Sequence, residues 1–209
     1  VTVYFRNKIW PFGVNKEKNQ KIWSIWLKTI LGVLPLVFLG AFFGEAVREK
    51  LFYPWGVALA LLIGGIIILM IEKRSRTGEI MSIESLTFKT AFFIGLIQCL
   101  SMIPGTSRAA ATIMGAIVLG ASRTVATEFS FYLAIPTIFG ASLFSLLRYK
   151  SALSLHEFSL LAIGFVAAFI TAFSVVKFFV NYAKKHDFNG FGYYRIVLGV
   201  IIILYFLIK

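Results

Sequence analysis

Five long apolar runs decide what this chain can fold into: Thr29–Gly44, Pro54–Ile71, Glu128–Leu147, Phe158–Ala183 and Tyr194–Ile208. A bilayer core of about 30 Å is crossed by about 20 apolar residues rising 1.5 Å each, so the runs read as membrane spans. The first lies near the lower limit of length. Pro35 and Pro136 are expected kinks, because neighbouring helices can re-satisfy backbone groups that a proline frees. With 59% hydrophobic and 14% charged residues the chain departs far from the soluble norm of about 45–50% and about 25%. Mean hydropathy is +0.86. The expected fold is an all-α polytopic membrane protein.

The net charge of +12 is then a matter of topology. Arg6–Lys28 holds six basic residues, Arg48–Lys50 two and Lys73–Arg76 three. Lysine and arginine in short loops stay in the cytoplasm, so the first and third clusters belong inside, and the first two spans run out and back. The Arg6–Lys28 segment, with Trp10, Trp23 and Trp26, reads as an interfacial stretch on the cytoplasmic surface. No basic stripe lies on a continuous water-facing element, which excludes nucleic-acid binding. Cys99 is the single cysteine, so no intrachain disulfide forms, and His156 and His186 lie far apart in polar connections, reading as surface residues. Gly40–Gly44 matches GxxxG, the mark of close helix approach, and the 22 phenylalanines read mostly as lipid-facing or packing residues. Val1–Phe5 reads as the last turn of an apolar helix whose beginning is missing, and the chain is expected to be N-terminally truncated.

Leu86–Ala121 differs from the spans because Pro104-Gly105 and then Arg108 interrupt it. Leu86–Ile103 reaches about 27 Å as a helix, but Ala109–Ala121 only about 20 Å. A second piece that short suggests a re-entrant hairpin whose turn lies at depth, where non-helical backbone survives only against protein or a watery cavity. A single broken span is the alternative. One membrane domain results: a helix end and interfacial segment (1–28), two spans (29–85), the hairpin (86–121) and three spans (122–209).

An arginine at membrane depth calls for a named partner. The carboxylates of this chain fall in connections or at span ends, leaving Arg108 to an anionic ligand or to an acid outside the chain. Its surroundings favour the ligand. Gly105 permits a sharp turn and a close backbone approach. Thr106 and Ser107 stand where a helix begins, beside unpaired N–H groups and the positive end of its dipole. Thr112 follows Arg108 by one helical turn, so Ser107, Arg108 and Thr112 can converge on one anion. A guanidinium fork matches two phosphate oxygens, which suits arginine better than lysine. A capped span with a snorkelling arginine is the other reading of the same spacing. Arginine stays protonated and cannot activate Ser107, so a base must come from elsewhere.

The stretch Gln98-Cys99-Leu100-Ser101-Met102-Ile103-Pro104-Gly105-Thr106-Ser107-Arg108-Ala109-Ala110-Ala111-Thr112, with Leu119–Arg123 and Glu128–Pro136 after it, resembles the undecaprenyl-diphosphate phosphatase family associated with bacitracin resistance. The likeness covers essentially the whole chain. It implies a multi-pass enzyme of the bacterial inner membrane that hydrolyses undecaprenyl diphosphate to the monophosphate and inorganic phosphate. Such an enzyme recycles the lipid carrier for peptidoglycan synthesis and confers bacitracin resistance. It also implies an inverted-repeat architecture of which this chain is half or more, and a divalent cation, magnesium or calcium. By the likeness Ser107, Arg108 and Thr112 are catalytic, and Gly105, Thr106 and Gln98 bind substrate. Ala109 and Ala110 depart from the family's serine and glycine. The family's first motif, paired glutamates followed by Ser-Ser-Thr-Gly-His, occurs nowhere in the chain, so the metal ligands and base lie outside it and the chain alone is expected to be inactive. A lipid-phosphate transporter or flippase using the same anion site, and a non-catalytic scaffold, are the rival functions; a homodimer is compatible with each.

Overall fold

The computed structural model describes residues 1–12, 16–74, 78–149 and 154–208, without the side chains of Asn7 and Arg48. Arg76, counted above among the basic residues after the second span, lies outside the described residues. The described chain is helical: α1 (Arg6–Ile9), α2 (Lys16–Leu51), α3 (Pro54–Arg74), α4 (Phe88–Gln98), a 3-10 turn (Cys99–Met102), α5 (Arg108–Val118), α6 (Arg123–Arg148), α7 (Leu155–Lys185) and α8 (Asn189–Ile208). Five of these, α2, α3, α6, α7 and α8, are long and apolar enough to cross a membrane, and each contains one of the five expected spans. The protein is an all-α, multi-pass membrane protein.

Several of the long helices start or stop for a local reason. Ser122 Oγ caps α6 by accepting from Val125 N–H, and Ser154 with Glu157 forms a reciprocal capping box at the start of α7. Lys73 and Arg74 close α3, and Lys184 and Lys185 close α7, where cations complement the helix dipole. α2 and α6 continue through Pro35 and Pro136. The helix holding the first expected span begins at Lys16, takes in the second half of the segment read as interfacial, and runs past Arg48–Lys50 to Leu51. At 36 residues it is about 54 Å long, well beyond one bilayer core.

A solvent-facing globule of 23.4 kDa exposes about 9,700 Å² by the usual mass scaling, whereas this chain exposes 13770 Å². The excess is apolar: Phe42, Phe165, Phe178 and Leu204 all stand exposed along the long helices. Lipid accepts such surfaces. The packed interior is correspondingly confined to α5, the first half of α6 and what surrounds them, with Phe129, Tyr132, Leu133, Ile94 and Ala116 essentially inaccessible. The N-terminal residues close it from one end. Phe5 is buried against Phe131 and Tyr132, Tyr132 Oη donates to Lys8 O, and Lys8 pairs with Glu128.

Close helix approach occurs away from the GxxxG match. Nothing lies within 4 Å of a Cβ built on Gly40 or Gly44, because that part of α2 presents open surface. The tight contacts lie elsewhere, between Gly32 of α2 and Gly95 of α4, and between α3 and α8 through Gly65, Gly192 and Gly199. Small residues let backbones meet where lipid supplies no hydrophobic drive for helices to associate.

Between α3 and α6 the chain folds into a hairpin of α4 and α5. Its two ends are tied together: Ile80 N–H donates to Gly120 O at 2.9 Å and Ser122 N–H to Ile80 O at 3.0 Å. Below this tie the buried Glu72 carboxylate, near the end of α3, accepts from Arg123 at the start of α6 and from Phe188 N–H at the α7–α8 junction. The hairpin thus leaves and returns at one level. Its tip, at Gly105, packs against Val57 and Ala60 near the other end of α3. Ala60–Glu72 measures about 18 Å along the helix, so the tip lies more than half a bilayer core away from the mouth. α4 and α5 thus run in opposite directions between these two levels.

Candidate active site

The hairpin tip is built by a turn that its sequence requires. Ile103, preceding proline, is extended with ψ 119°, as steric conflict with the proline ring demands. Thr106 N–H donates to Ile103 O at 3.1 Å, closing a four-residue turn with Pro104 second and Gly105 third at φ +93°. That is a type II turn, in which the third residue must be glycine-like. A Cβ on Gly105 would also stand 2.7 Å from Val57 O, so glycine is needed both for its φ and for its closeness to α3. Ser107 follows at φ 68°, a positive value that a side-chain-bearing residue rarely adopts and that costs about 1–3 kcal/mol. Strain of this kind persists where surrounding structure enforces it and concentrates at functional sites.

α5 starts immediately after this strained residue. Ser107 Oγ accepts from Ala110 N–H at 3.3 Å and Ser107 O from Ala111 N–H at 3.0 Å. The remaining first-turn N–H groups face the tip with the positive end of the helix dipole. Arg108 donates from Nη1 to Ser130 O on α6 at 3.1 Å. Among the described residues no carboxylate pairs with it. A guanidinium carries five N–H donors, so most of its capacity is left for a ligand.

The three residues expected to converge do so only in part. Arg108 and Thr112 meet at one residue, Ser130, whose carbonyl takes the guanidinium and whose hydroxyl lies 2.6 Å from Thr112 Oγ1. Thr112 is wholly buried and also donates back to Arg108 O at 3.0 Å, so it fastens α5 to α6 beneath the arginine. Ser107 turns its hydroxyl to the helix start. Thr106 is half-buried and borders an apolar cavity of about 160 Å³ between α3 and the hairpin. Gln98, at the end of α4, is fully buried, with neither amide atom partnered among the described residues.

Two residues of the site were not singled out from sequence. Ser130 is a hydroxyl inside the apolar run Glu128–Leu147, and nothing in the local pattern marks it. Arg195 stands second in the expected span Tyr194–Ile208, where no role was assigned to it. It is in fact 8% exposed, donates from Nη2 to Gly105 O at 2.8 Å and to Ala60 O at 3.3 Å, and leaves Nε without a partner among the described residues. Together with Ser107 it lines a second cavity, about 280 Å³, otherwise walled by Ile68, Met114, Phe179 and other apolar residues. Ser107 and Arg195 therefore face one apolar hollow and Thr106 its neighbour, the two sharing Ile68, Ala110 and Met114, while Arg108 lines neither.

These groups suit an anion with an apolar body. They do not suit a divalent cation, which takes carboxylate and carbonyl oxygens. Among the described residues no group of three histidine, cysteine, aspartate or glutamate side chains could hold a metal. His156 and His186 are exposed, the latter stacked on Tyr182.

The family profile described as "Bacitracin resistance protein BacA" matches residues 1–201. Undecaprenyl-diphosphatase 1 of Clostridioides difficile (strain 630) is 45% identical over 208 residues, covering 99% of this chain and 76% of that protein. The undecaprenyl-diphosphatase of Acetivibrio thermocellus is 42% identical over 99% of this chain and 78% of its own length. That of Enterococcus faecalis is 41% identical over 98% and 76%.

Proposed function

The chain belongs to the bacitracin resistance protein BacA family, and on that premise we propose that it hydrolyses undecaprenyl diphosphate to undecaprenyl phosphate and inorganic phosphate. The observation that carries the reading is Arg108, a guanidinium without a carboxylate partner among the described residues, set at a helix N-terminus on the tip of a deep hairpin. The apolar hollows beside the tip fit the isoprenoid body of such a substrate, and the cationic turn fits its diphosphate head.

The roles follow from the geometry. Arg108 grips two phosphate oxygens through its planar fork. The N–H groups at the start of α5 face the charge that spreads over the transferring phosphoryl group, and such preorganised donors are the main source of catalysis in phosphoryl transfer. Thr112 and Ser130 hold Arg108 in line. The hydroxyl of Ser107 stands within the same cluster, either as a ligand to a phosphate oxygen or as the attacking group, activated by a base outside this chain. The divalent cation that the family resemblance implies finds no carboxylate cluster among the described residues, and no step here runs through it. A transporter reading has no observation of its own in its favour.

Phosphate release from undecaprenyl or farnesyl diphosphate by the complete protein, purified in detergent, tests the proposal. Arg108→Ala is expected to lower kcat about 10²–10³-fold, the usual effect of losing one transition-state donor. No release above background by the unaltered protein refutes the hydrolase reading, and full activity in the variant refutes the role of Arg108. Placement in the bacterial inner membrane and assembly as a homodimer complete the proposal; membrane fractionation and cross-linking in native membranes test them.

A further inference from the structure

We propose that Arg195 is a positioning residue for the hydrolysis, holding the Gly105 turn through the carbonyl of Gly105, and that Gly64 is the slot through which it reaches. The inference rests on the function proposed above and names a device of the same site. Arg195 rises from α8 and crosses α3 to reach the hairpin tip, where Nη2 meets Gly105 O at 2.8 Å and Ala60 O at 3.3 Å. The crossing is possible only because Gly64 has no side chain. A Cβ built there would stand 2.5 Å from Nη2, 3.2 Å from Cζ and 3.3 Å from Nε, and these three Arg195 atoms are its nearest neighbours. Gly192 and Gly199, on the same face of α8 as Arg195, bring the two helices near enough for the side chain to span them.

A guanidinium at this burial would ordinarily lie against a carboxylate, since an unpaired charge in a membrane interior is expensive. Arg195 has none among the described residues, and its Nε is without a partner. What it grips is backbone at the turn that holds two positive-φ residues, Gly105 at φ +93° and Ser107 at φ 68°. The plane of the Gly105–Thr106 peptide sets the direction of the Thr106 N–H and, through the next peptide, the aim of Ser107 and the start of α5. Fixing the carbonyl fixes that plane, and so holds the strained turn in its phosphate-facing form. Arg108 binds the substrate; Arg195 keeps the donors beside it in place.

Gly64→Ala displaces the guanidinium without removing it. The atom it strikes is the far end of a flexible side chain, so the fold is kept while the grip on Gly105 is lost. In the complete purified protein, Arg195→Ala and Gly64→Ala are each expected to lower kcat about ten- to a hundredfold, as a misaimed site does. KM should stay within about threefold, because Arg108 still holds the ground state. The double variant should be no worse than Arg195→Ala alone, since Gly64 acts only through Arg195. Arg195→Lys, which keeps one donor, should recover part of the activity. Gly40→Ala, on open surface, serves as the control that leaves turnover unchanged. Unchanged kcat in Arg195→Ala overturns the proposal, and so do multiplying effects of the two substitutions. A raised KM with kcat intact also overturns it, since Arg195 would then bind substrate directly. If the unaltered protein releases no phosphate, the proposed function itself fails, a result separate from any of these.

Discussion

Thr112→Val keeps the shape of the side chain and removes a hydroxyl whose bonds can be assigned one by one. Thr112 Oγ1 has a single proton, and we assign it to the backbone, to Arg108 O at 3.0 Å and Ala109 O at 3.2 Å, which can only accept. Either hydroxyl can donate across the 2.6 Å contact with Ser130 Oγ, and on this assignment Ser130 does. Valine strands that donor in a site where Ser130 is 3% exposed. Ser130→Ala strands nothing comparable, since Thr112 stays bonded to its own helix. The two substitutions should differ although they break the same contact. Hydrogen bonds between membrane helices average about 0.6 kcal/mol and reach about 1.7 kcal/mol. The short distance and complete burial place Thr112→Val near the upper figure, about 1.5 kcal/mol, while back-bonding of the freed Ser130 hydroxyl to its own helix limits the loss. Ser130→Ala should cost less than about 0.7 kcal/mol, and the double variant, with no stranded donor, no more than Thr112→Val alone. Unfolding in mixed detergent, followed by tryptophan fluorescence, measures all three. Equal losses, or a larger loss for Ser130→Ala, refute the assignment of the protons.

Gly105→Ala should abolish turnover, because the new Cβ meets backbone at Val57 O and the φ of +93° disfavours alanine; phosphate release and limited proteolysis of the hairpin report it. Glu72→Gln removes the carboxylate that joins α3, α6 and the α7–α8 junction, and should destabilise by about 2 kcal/mol, since Glu72 is buried while its partner Arg123 is 38% exposed and keeps part of its solvation. The same detergent titration measures it, and a loss below about 1 kcal/mol would reduce the cluster to an ordinary exposed pair.

The spans were legible because length and apolarity are properties of a run, and every expected run lies inside an observed helix. The turn was legible because Pro104-Gly105 permits few conformations. What sequence could not supply was which side of a helix each residue faces. Arg195 sits two turns into α8, yet beside Tyr193 and Tyr194 it looks like an interfacial charge. The glycines at 192 and 199 that seat it against α3 were visible, but nothing marked them as facing Gly64 and Gly65. The Gly40–Gly44 match failed for the same reason: a spacing states that approach is sterically allowed, while the partner surface decides whether it happens. Ser130 is silent for a related cause, since its role depends on α6 lying beside α5, a contact that no local pattern encodes.

The tie between Ile80 and Gly120–Ser122 bears on how such a protein is made. A segment whose two ends are tied together could be placed between α3 and α6 as one piece, without either limb crossing the membrane on its own. Its tip would then meet partners that the rest of the chain supplies, the Gly105 carbonyl at Arg195 and the Arg108 guanidinium at Ser130.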